Sequence, residues 1–541
     1  MGAVLPIRHQ APLPDSLILA EPPSSEAIEL DVLIVGAGPA GLACAIHLAK
    51  AAPDLAIGVL EKAGALGEHS LSGAVLNPVA LRALFPGKPD TEFPFRQPVE
   101  GEAVHFMTES GSQRIPTPPT MKNHGNYTVS LCELVRWLGE QAESLGINLF
   151  PGFPAESLLV DGQRVIGVRT VTGGLDRDRN PTDQVQEATD LTAKVIVLAE
   201  GTRGPLAQAW CAWQGVGSEN PQIFALGVKE VWEIQKPLDR VIHTLGWPLP
   251  RDAFGGSWCY PMGPNQLSIG LVVGLDYHDA GLDVHESLQR MKLHPLFRPL
   301  LEGGSLVEWG AKTIPEGGYY AIPNRLSGDG LMMIGDTVGF VDVPSLKGIH
   351  YAMESGMLAA ATIADTLQQH GAGDAAHLAA YDTLVRQSYI MRDMHVTRNM
   401  RLAFKDGFVA GGIKAGLMTL TGGAFPGGRI AMPADAEAER KTTSRPAFVP
   451  DNVLTFSKVD AVFKSGNATR DTIPSHLIVG KDITGDVADF YAHLCPAGVY
   501  ERSGDTLRVN PPNCVDCKAT DVVGPRWTPR EGGSGPKYRL M

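Results

Sequence analysis

Near the C-terminus, Cys514-Val-Asp-Cys517 is followed by Thr520 and Asp521 and preceded by Cys495-Pro496. Thiolates at this spacing are iron–sulfur ligands, and a [4Fe–4S] cube is ordinarily capped by four of them, often from a C-x2-C-x2-C run plus one distant Cys-Pro. Three cysteines stand in those places here, and the fourth position reads Thr520. A threonine hydroxyl is a poor iron ligand at neutral pH, because its proton is far less acidic than that of a thiol. Three outcomes stay open: a [3Fe–4S] form, a carboxylate from Asp516 or Asp521 in the missing thiolate's place, or a folded remnant without a cluster. A zinc ribbon is disfavoured, since no second C-x2-C or His pair lies nearby in the sequence.

A second chemistry sits at the other end. Asp31-Val-Leu-Ile-Val35 reads as a buried strand running into Gly36-Ala-Gly38-Pro-Ala-Gly41 and then a helical stretch from Leu42 to Lys50. In that context Gly36 makes the turn, Gly38 lets a pyrophosphate approach, and Gly41 lets helix pack on strand, with the helix N-terminus facing the phosphates. The next apolar run, Leu55 to Leu60, ends at Glu61, placed to accept ribose hydroxyl hydrogen bonds. Val195 to Gly201 and Leu331 to Gly335-Asp336, with Gly339 beyond, are two further strands ending in glycine. A late strand–Gly-Asp element selects FAD over NAD, with Asp336 on the ribityl chain as well as in reach of capping the following helix. Gly422 to Gly428 follows no strand and contains Pro426, so it is no second nucleotide fingerprint, and a donor other than NAD(P)H is favoured.

The elements that must position these groups need room. A chain of 541 residues exceeds one ordinary core, so two or three intertwined domains are expected. A hydrophobic content of 44%, a charged content of 19% and 61 glycines fit a loop-rich α/β protein. A formal net charge of −13 argues against nucleic-acid binding. Cys44, Cys132, Cys211 and Cys259 are scattered singly and read as small buried hydrophobes in a reducing compartment. The N-terminus shows neither a secretory h-region nor the Arg-rich composition of a transit peptide. Phe408 to Phe425 is apolar and Gly-rich, with Arg401, Lys405 and Lys414 on or near it. It is short for a span and carries an internal Lys, so it is expected to lie in a membrane interface.

Gly64 to Gly73, His124 to Tyr127, Phe254 to Trp258, Gly270 to Tyr277, Leu301 to Gly304 and Cys495 to Glu501 resemble the electron transfer flavoprotein–ubiquinone oxidoreductase family, from about residue 29 to the C-terminus. The resemblance implies an α/β chain in three parts. These are a glutathione-reductase-like Rossmann FAD domain (29–105, 125–225 and 315–400), a β-rich quinone domain (226–314) and a ferredoxin-like iron–sulfur domain (440–541). A membrane-surface segment (401–430) and a solvated polar linker, 433–446, would lie between. It further implies FAD, an iron–sulfur cluster and ubiquinone as cofactors, with Ser72 and Gly348 at the flavin and Gly255-Gly256 at a quinone carbonyl. Cys495, Cys514 and Cys517 would hold the metal, and His350 would be a packed helix residue. Electrons would pass from reduced electron transfer flavoprotein to ubiquinone, in a monotopic monomer on the cytoplasmic face of a bacterial inner membrane, or the matrix face of a mitochondrial one. Two departures from the family pattern stand out: the short polar loop Thr117–Lys122, and Thr520. Two other readings compete: a cluster-free, NAD(P)H-driven FAD reductase or monooxygenase of a lipid-like substrate, and a degenerate flavoprotein kept as a non-catalytic subunit.

Overall fold

The computed structural model describes residues 11–443, 445–480 and 483–541. Its first sheet is built on Ile28–Val35, whose last four residues are buried, as a central parallel strand flanked on both sides requires. That strand pairs parallel with Ile57–Glu61 and with Asp190–Leu198. Leu331–Met333 and Asn148–Pro151 add further parallel pairs, and the antiparallel Ala155–Asp161 and Arg164–Thr170 extend the sheet. Helices Pro39–Ala51 and Ile349–His370 pack on each other at Gly356, where an added Cβ would lie 2.3 Å from the Ala40 carbonyl oxygen.

A second, seven-stranded sheet runs in the order Ser305–Pro315, Phe224–Glu233, Gln266–Gly274, Gly255–Pro261, Val241–Gly246, Glu102–Met107, Ser112–Ile115. The last two strands form a hairpin that the sequence reading split, leaving residues up to 105 with the flavin unit. The structure gives the whole hairpin to the second sheet, because Ala103, Val104 and Met107 bury an apolar face there and Glu102–Met107 pairs parallel with Val241–Gly246. Among the described residues the C-terminal segment shares its core with the second sheet. Leu477, Val487, Phe490, Tyr491 and the three clustered cysteines share one apolar cluster with Val228, Trp232, Leu271 and Trp309 of the sheet.

The expectation of a solvated linker before that segment fails at two residues. Asp435 is buried and accepts the Phe224 N–H at 2.7 Å. Arg440 is buried against Tyr277 and Phe490 and donates to the Leu275 carbonyl. A buried carboxylate and guanidinium that each find backbone partners turn a charge-dense stretch into a clamp.

Helix Val284–Lys292, capped by Asp283, carries Lys292 into the second sheet. There its ammonium lies 2.9 and 2.8 Å from the two oxygens of Glu230, which also accept from Trp232 Nε1 and Gln289 Nε2. Both ion-pair members are fully buried, so removing one strands a charge. Lys292→Met should therefore lower stability by about 3–5 kcal/mol, read as a fall in denaturation midpoint. Adding Glu230→Gln should restore part of that loss, and no restoration would show that the pair's charge is not the cause.

Candidate functional site

One cavity of about 370 Å³ touches all three parts of the chain. Gly36, Gly38, Glu61, Ser72, Gly201, Asp336 and Gly348 line it, as do Trp258, Tyr260 and Lys312 of the second sheet and Lys518 and Trp527 of the C-terminal segment. The three glycines of the first turn play distinct parts. Gly36 adopts φ +111, and a Cβ there would meet the Ala199 carbonyl oxygen at 2.3 Å. A Cβ on Gly41 would lie 2.0 Å from the Gly36 oxygen. Gly38 alone faces open space, with nothing within 4 Å, on the cavity wall. That is the shape a bound pyrophosphate requires at the start of helix Pro39–Ala51.

The other predicted flavin residues divide into wall and scaffold. Glu61 sits on the wall and accepts the N–H groups of Ala37 and Ala63 at 3.1 and 2.9 Å. Gly201 is held at φ +69 and donates to Thr337 Oγ1 at 3.1 Å. Burial pushes the Asp336 carboxyl up to about 6, with nearby Lys312 pulling the other way. Gly348 caps helix Ile349–His370, so the free N–H groups of that helix open on the cavity. Gly335 instead packs on Ala40, and Gly339 packs on Gln222; neither lines the cavity. His350 lies off the wall, buried beside Tyr351 and Tyr389, and burial holds it neutral with a pKa lowered to about 4. The residues present thus fit FAD: an open glycine cradle, two helix N-termini and a carboxyl group, Asp336, on the same wall.

Gly255 and Gly256 begin the strand that carries Trp258 and Tyr260 to the cavity, but they do not line it themselves. A Cβ on Gly255 would meet the Val272 oxygen at 2.1 Å, and one on Gly256 the Thr244 oxygen at 2.5 Å. The pair is close to an aromatic bridge in which Phe254 meets Phe404 at 4.9 Å and Phe106 meets Phe408 at 6.2 Å. Phe408 opens the helix Phe408–Leu420, whose Val409, Ile413 and Leu420 are 74, 64 and 84% exposed. Of the cations expected beside it, Arg401 is a correction. It is buried and paired with Asp276 and Glu316 at 2.8 and 2.7 Å, with its guanidinium over Phe254. Lys414 pairs with Asp406. Among the described residues no helix is long and apolar enough to cross a membrane.

The cysteine loop lies one strand from the cavity. Cys495, Cys514 and Cys517 are buried free thiols, and burial pushes the Cys514 thiol up to about 12. The Tyr500 hydroxyl sits 3.4 Å from Thr520 Oγ1, and burial, together with the nearby thiols, holds its pKa well above the usual range. The Cys517 carbonyl accepts the Thr313 N–H at 3.0 Å, and Lys312 donates to the Asp516 carbonyl at 3.3 Å. The carboxylate substitutes are engaged elsewhere. Asp521 accepts from Arg203 at 2.7 Å and from the Trp527 N–H at 2.9 Å, with Arg526 at 3.5 Å. Asp516 holds Lys62, Arg530 at 2.8 Å and Trp527 Nε1 at 3.0 Å. Burial would raise the Asp516 carboxyl, but Arg530 and Lys62 take it well below the usual range. Three thiols would suit an iron–sulfur cluster, and the fourth position of the run carries the hydroxyl of Thr520. The cations Lys62, Lys312 and Lys518 between loop and cavity had no sequence signal, since they converge from opposite ends of the chain.

A glycine-cradled dinucleotide cavity joined to a buried cysteine loop defines an FAD-dependent oxidoreductase built for electron transfer. Similarity to known proteins agrees. A family model described as the ubiquinone-binding part of ETF-QO matches residues 224–314. One described as electron transfer flavoprotein-ubiquinone oxidoreductase, 4Fe-4S, matches 452–539, and a Thi4 family model matches 23–83. The mitochondrial electron transfer flavoprotein-ubiquinone oxidoreductase of Arabidopsis thaliana is 38% identical over 95% of this chain and 85% of its own. That of Homo sapiens is 37% identical over 95 and 90%. The chain belongs to the electron transfer flavoprotein–ubiquinone oxidoreductase family. In fold it is also similar to a geranylgeranyl bacteriochlorophyll reductase-like protein from Thermoplasma acidophilum, at TM-score 0.58 and 19% identity over 74% of this chain and 96% of that one.

The glycines separate folding from binding. Gly38→Ala, at φ −77 with free space around it, should leave the FAD-free protein's stability within about 0.5 kcal/mol yet weaken FAD retention by about 10-fold or more. Gly41→Ala should destabilise the FAD-free protein by about 1–3 kcal/mol. Thermal melts with flavin fluorescence of the released cofactor read both, and equal losses in the two variants would refute the division.

Proposed function

We propose that this chain takes electrons from reduced electron transfer flavoprotein and delivers them to ubiquinone at a membrane surface. The observation that supports this best is a cavity bordered at once by the glycine cradle, the second sheet and the cysteine-bearing segment. Bound FAD supplies the chemistry that matches a donor of single electrons to a quinone that needs two.

The chain's own residues do the rest. Gly36, Gly38 and the start of helix Pro39–Ala51 hold the phosphates. Asp336, Glu61 and Ser72 orient the sugar and ribityl groups. The N-terminus of Ile349–His370 and the lysines Lys62, Lys312 and Lys518 place positive charge where reduction deposits negative charge. Lys518 donates to the Thr202 and Arg203 carbonyls, and burial lowers its pKa to about 7, so its charge is present below that pH and lost above it. Val341, Val343 and Leu346 give the same cavity an apolar wall. A quinone would enter between the second sheet and helix Phe408–Leu420, past Phe254 and Phe404, with Gly255 and Gly256 offering backbone at that end. The exposed Val409, Ile413 and Leu420 would lie in the lipid interface, on the cytoplasmic side of a bacterial inner membrane or the matrix side of a mitochondrial one, with the protein acting as a monomer.

Purified protein should reduce ubiquinone with reduced electron transfer flavoprotein and show at least a tenfold lower rate with NADH; the reverse preference would favour the lipid-substrate reductase reading. Ile413→Glu with Leu420→Glu should reduce co-sedimentation with liposomes several-fold at unchanged flavin content. Undiminished sedimentation would remove this helix from the membrane surface.

A further inference from the structure

We infer that the cysteine loop holds a three-iron, [3Fe–4S], centre, with Thr520 beside the corner that a fourth iron would occupy. The family model for this segment is a four-iron one, and this chain departs from it at the ligands themselves. Cys495, Cys514 and Cys517 can each cap one iron as thiolates. Thr520, the residue at the fourth position of the run, is buried and its hydroxyl rests 3.4 Å from that of Tyr500. An alcohol in such surroundings keeps its proton, because burial penalises the alkoxide that metal binding would need.

The neighbouring carboxylates do not replace it. Asp521 is fixed by Arg203, Arg526 and the Trp527 N–H. Asp516 is fixed by Lys62, Arg530 and the indole of Trp527. Pulling either toward iron would leave a buried guanidinium, Arg526 or Arg530, without its counter-charge. Among the described residues, His476 is the histidine that the structure groups with a cysteine of the loop. Its ring lies within 4.8 Å of Cys514 Sγ and an Asp516 oxygen, and neither ring nitrogen has a hydrogen-bond partner. It stands on the Asp516 side of the loop, packed at 6.2 Å on Trp527, whereas Thr520 stands at Tyr500. Among the described residues an iron at the fourth corner therefore lacks a protein ligand, and the centre stops at three.

This inference holds whether or not ubiquinone is the acceptor, because the centre is read without turnover. Protein purified anaerobically with its FAD should contain iron and acid-labile sulfide in a ratio of about three to four. It should be paramagnetic by EPR when oxidised and lose that signal on one-electron reduction. Thr520→Cys should gain about one iron per FAD and reverse the pattern, silent when oxidised and paramagnetic when reduced. Thr520→Ser should keep the wild-type spectrum. Four irons and an EPR-silent oxidised state in the wild type would overturn the inference. Loss of that four-iron state in His476→Ala would then identify the histidine as ligand. A folded, FAD-loaded wild type without iron would overturn it equally. If Thr520→Cys does not fold, the wild-type spectrum and iron count decide alone.

Discussion

Asp516 is the pin on which the arrangement turns. It lies between the two cysteines of the C-x2-C pair, 1% exposed, and its carboxylate binds a lysine from the end of the first sheet, an arginine near the C-terminus and an indole N–H. A buried carboxylate is costly unless its lone pairs are filled. Here the partners come from Lys62, Trp527 and Arg530, so satisfying one charge fixes the cysteine loop against the flavin cavity. Lys312 reaches the Asp516 carbonyl from the second sheet, which ties the third part to the same point.

Part of the charge around the cavity follows from that pin. Asp516 pairs with Lys62 and its carbonyl accepts from Lys312, while Lys518 is held by the Thr202 and Arg203 carbonyls; burial lowers Lys312 to about 8 and Lys518 to about 7. A cluster of cations in a low-dielectric wall is unfavourable for the empty fold and favourable for a bound group that turns negative. The apolar residues Val341, Val343 and Leu346 line the same cavity. One space therefore has both a polar, positively charged side and an apolar side.

The sequence carried the local parts of this legibly. The strand–turn–helix at Gly36–Gly41 and the cysteine spacing are short-range patterns; the structure puts the first on the cavity wall and buries the three cysteines in one segment. Gly335 and Gly339 show the limit of that reading. Glycine marks a close approach, but whether to cofactor or to Ala40 and Gln222 depends on partners far along the chain. Arg401 and the Asp435–Arg440 stretch fail for the same reason: charge density in sequence suggests a solvated face, whereas in the fold each charge meets a buried counterpart. The hairpin Glu102–Ile115 was hidden because strand pairing across more than a hundred residues has no signature of its own.

The same bonds explain why the loop tolerates a threonine. The Cys514 carbonyl accepts from Arg530 and Asn467, the Cys517 carbonyl from Thr313, the Cys495 carbonyl from Lys458, and Lys518 is tied to Thr202 and Arg203. With Val515, Ala519 and Val523 packed into the second sheet's core, the loop's shape is set by hydrogen bonds and burial before any metal is considered. In a small metal-folded module each metal–thiolate bond is part of the folding free energy. In this chain hydrogen bonds and burial tie the loop to its neighbours at many points besides any metal bond. With the centre inferred above, exchange of one thiolate for a hydroxyl would alter what the site holds, and with it the redox chemistry, more than it would alter the fold.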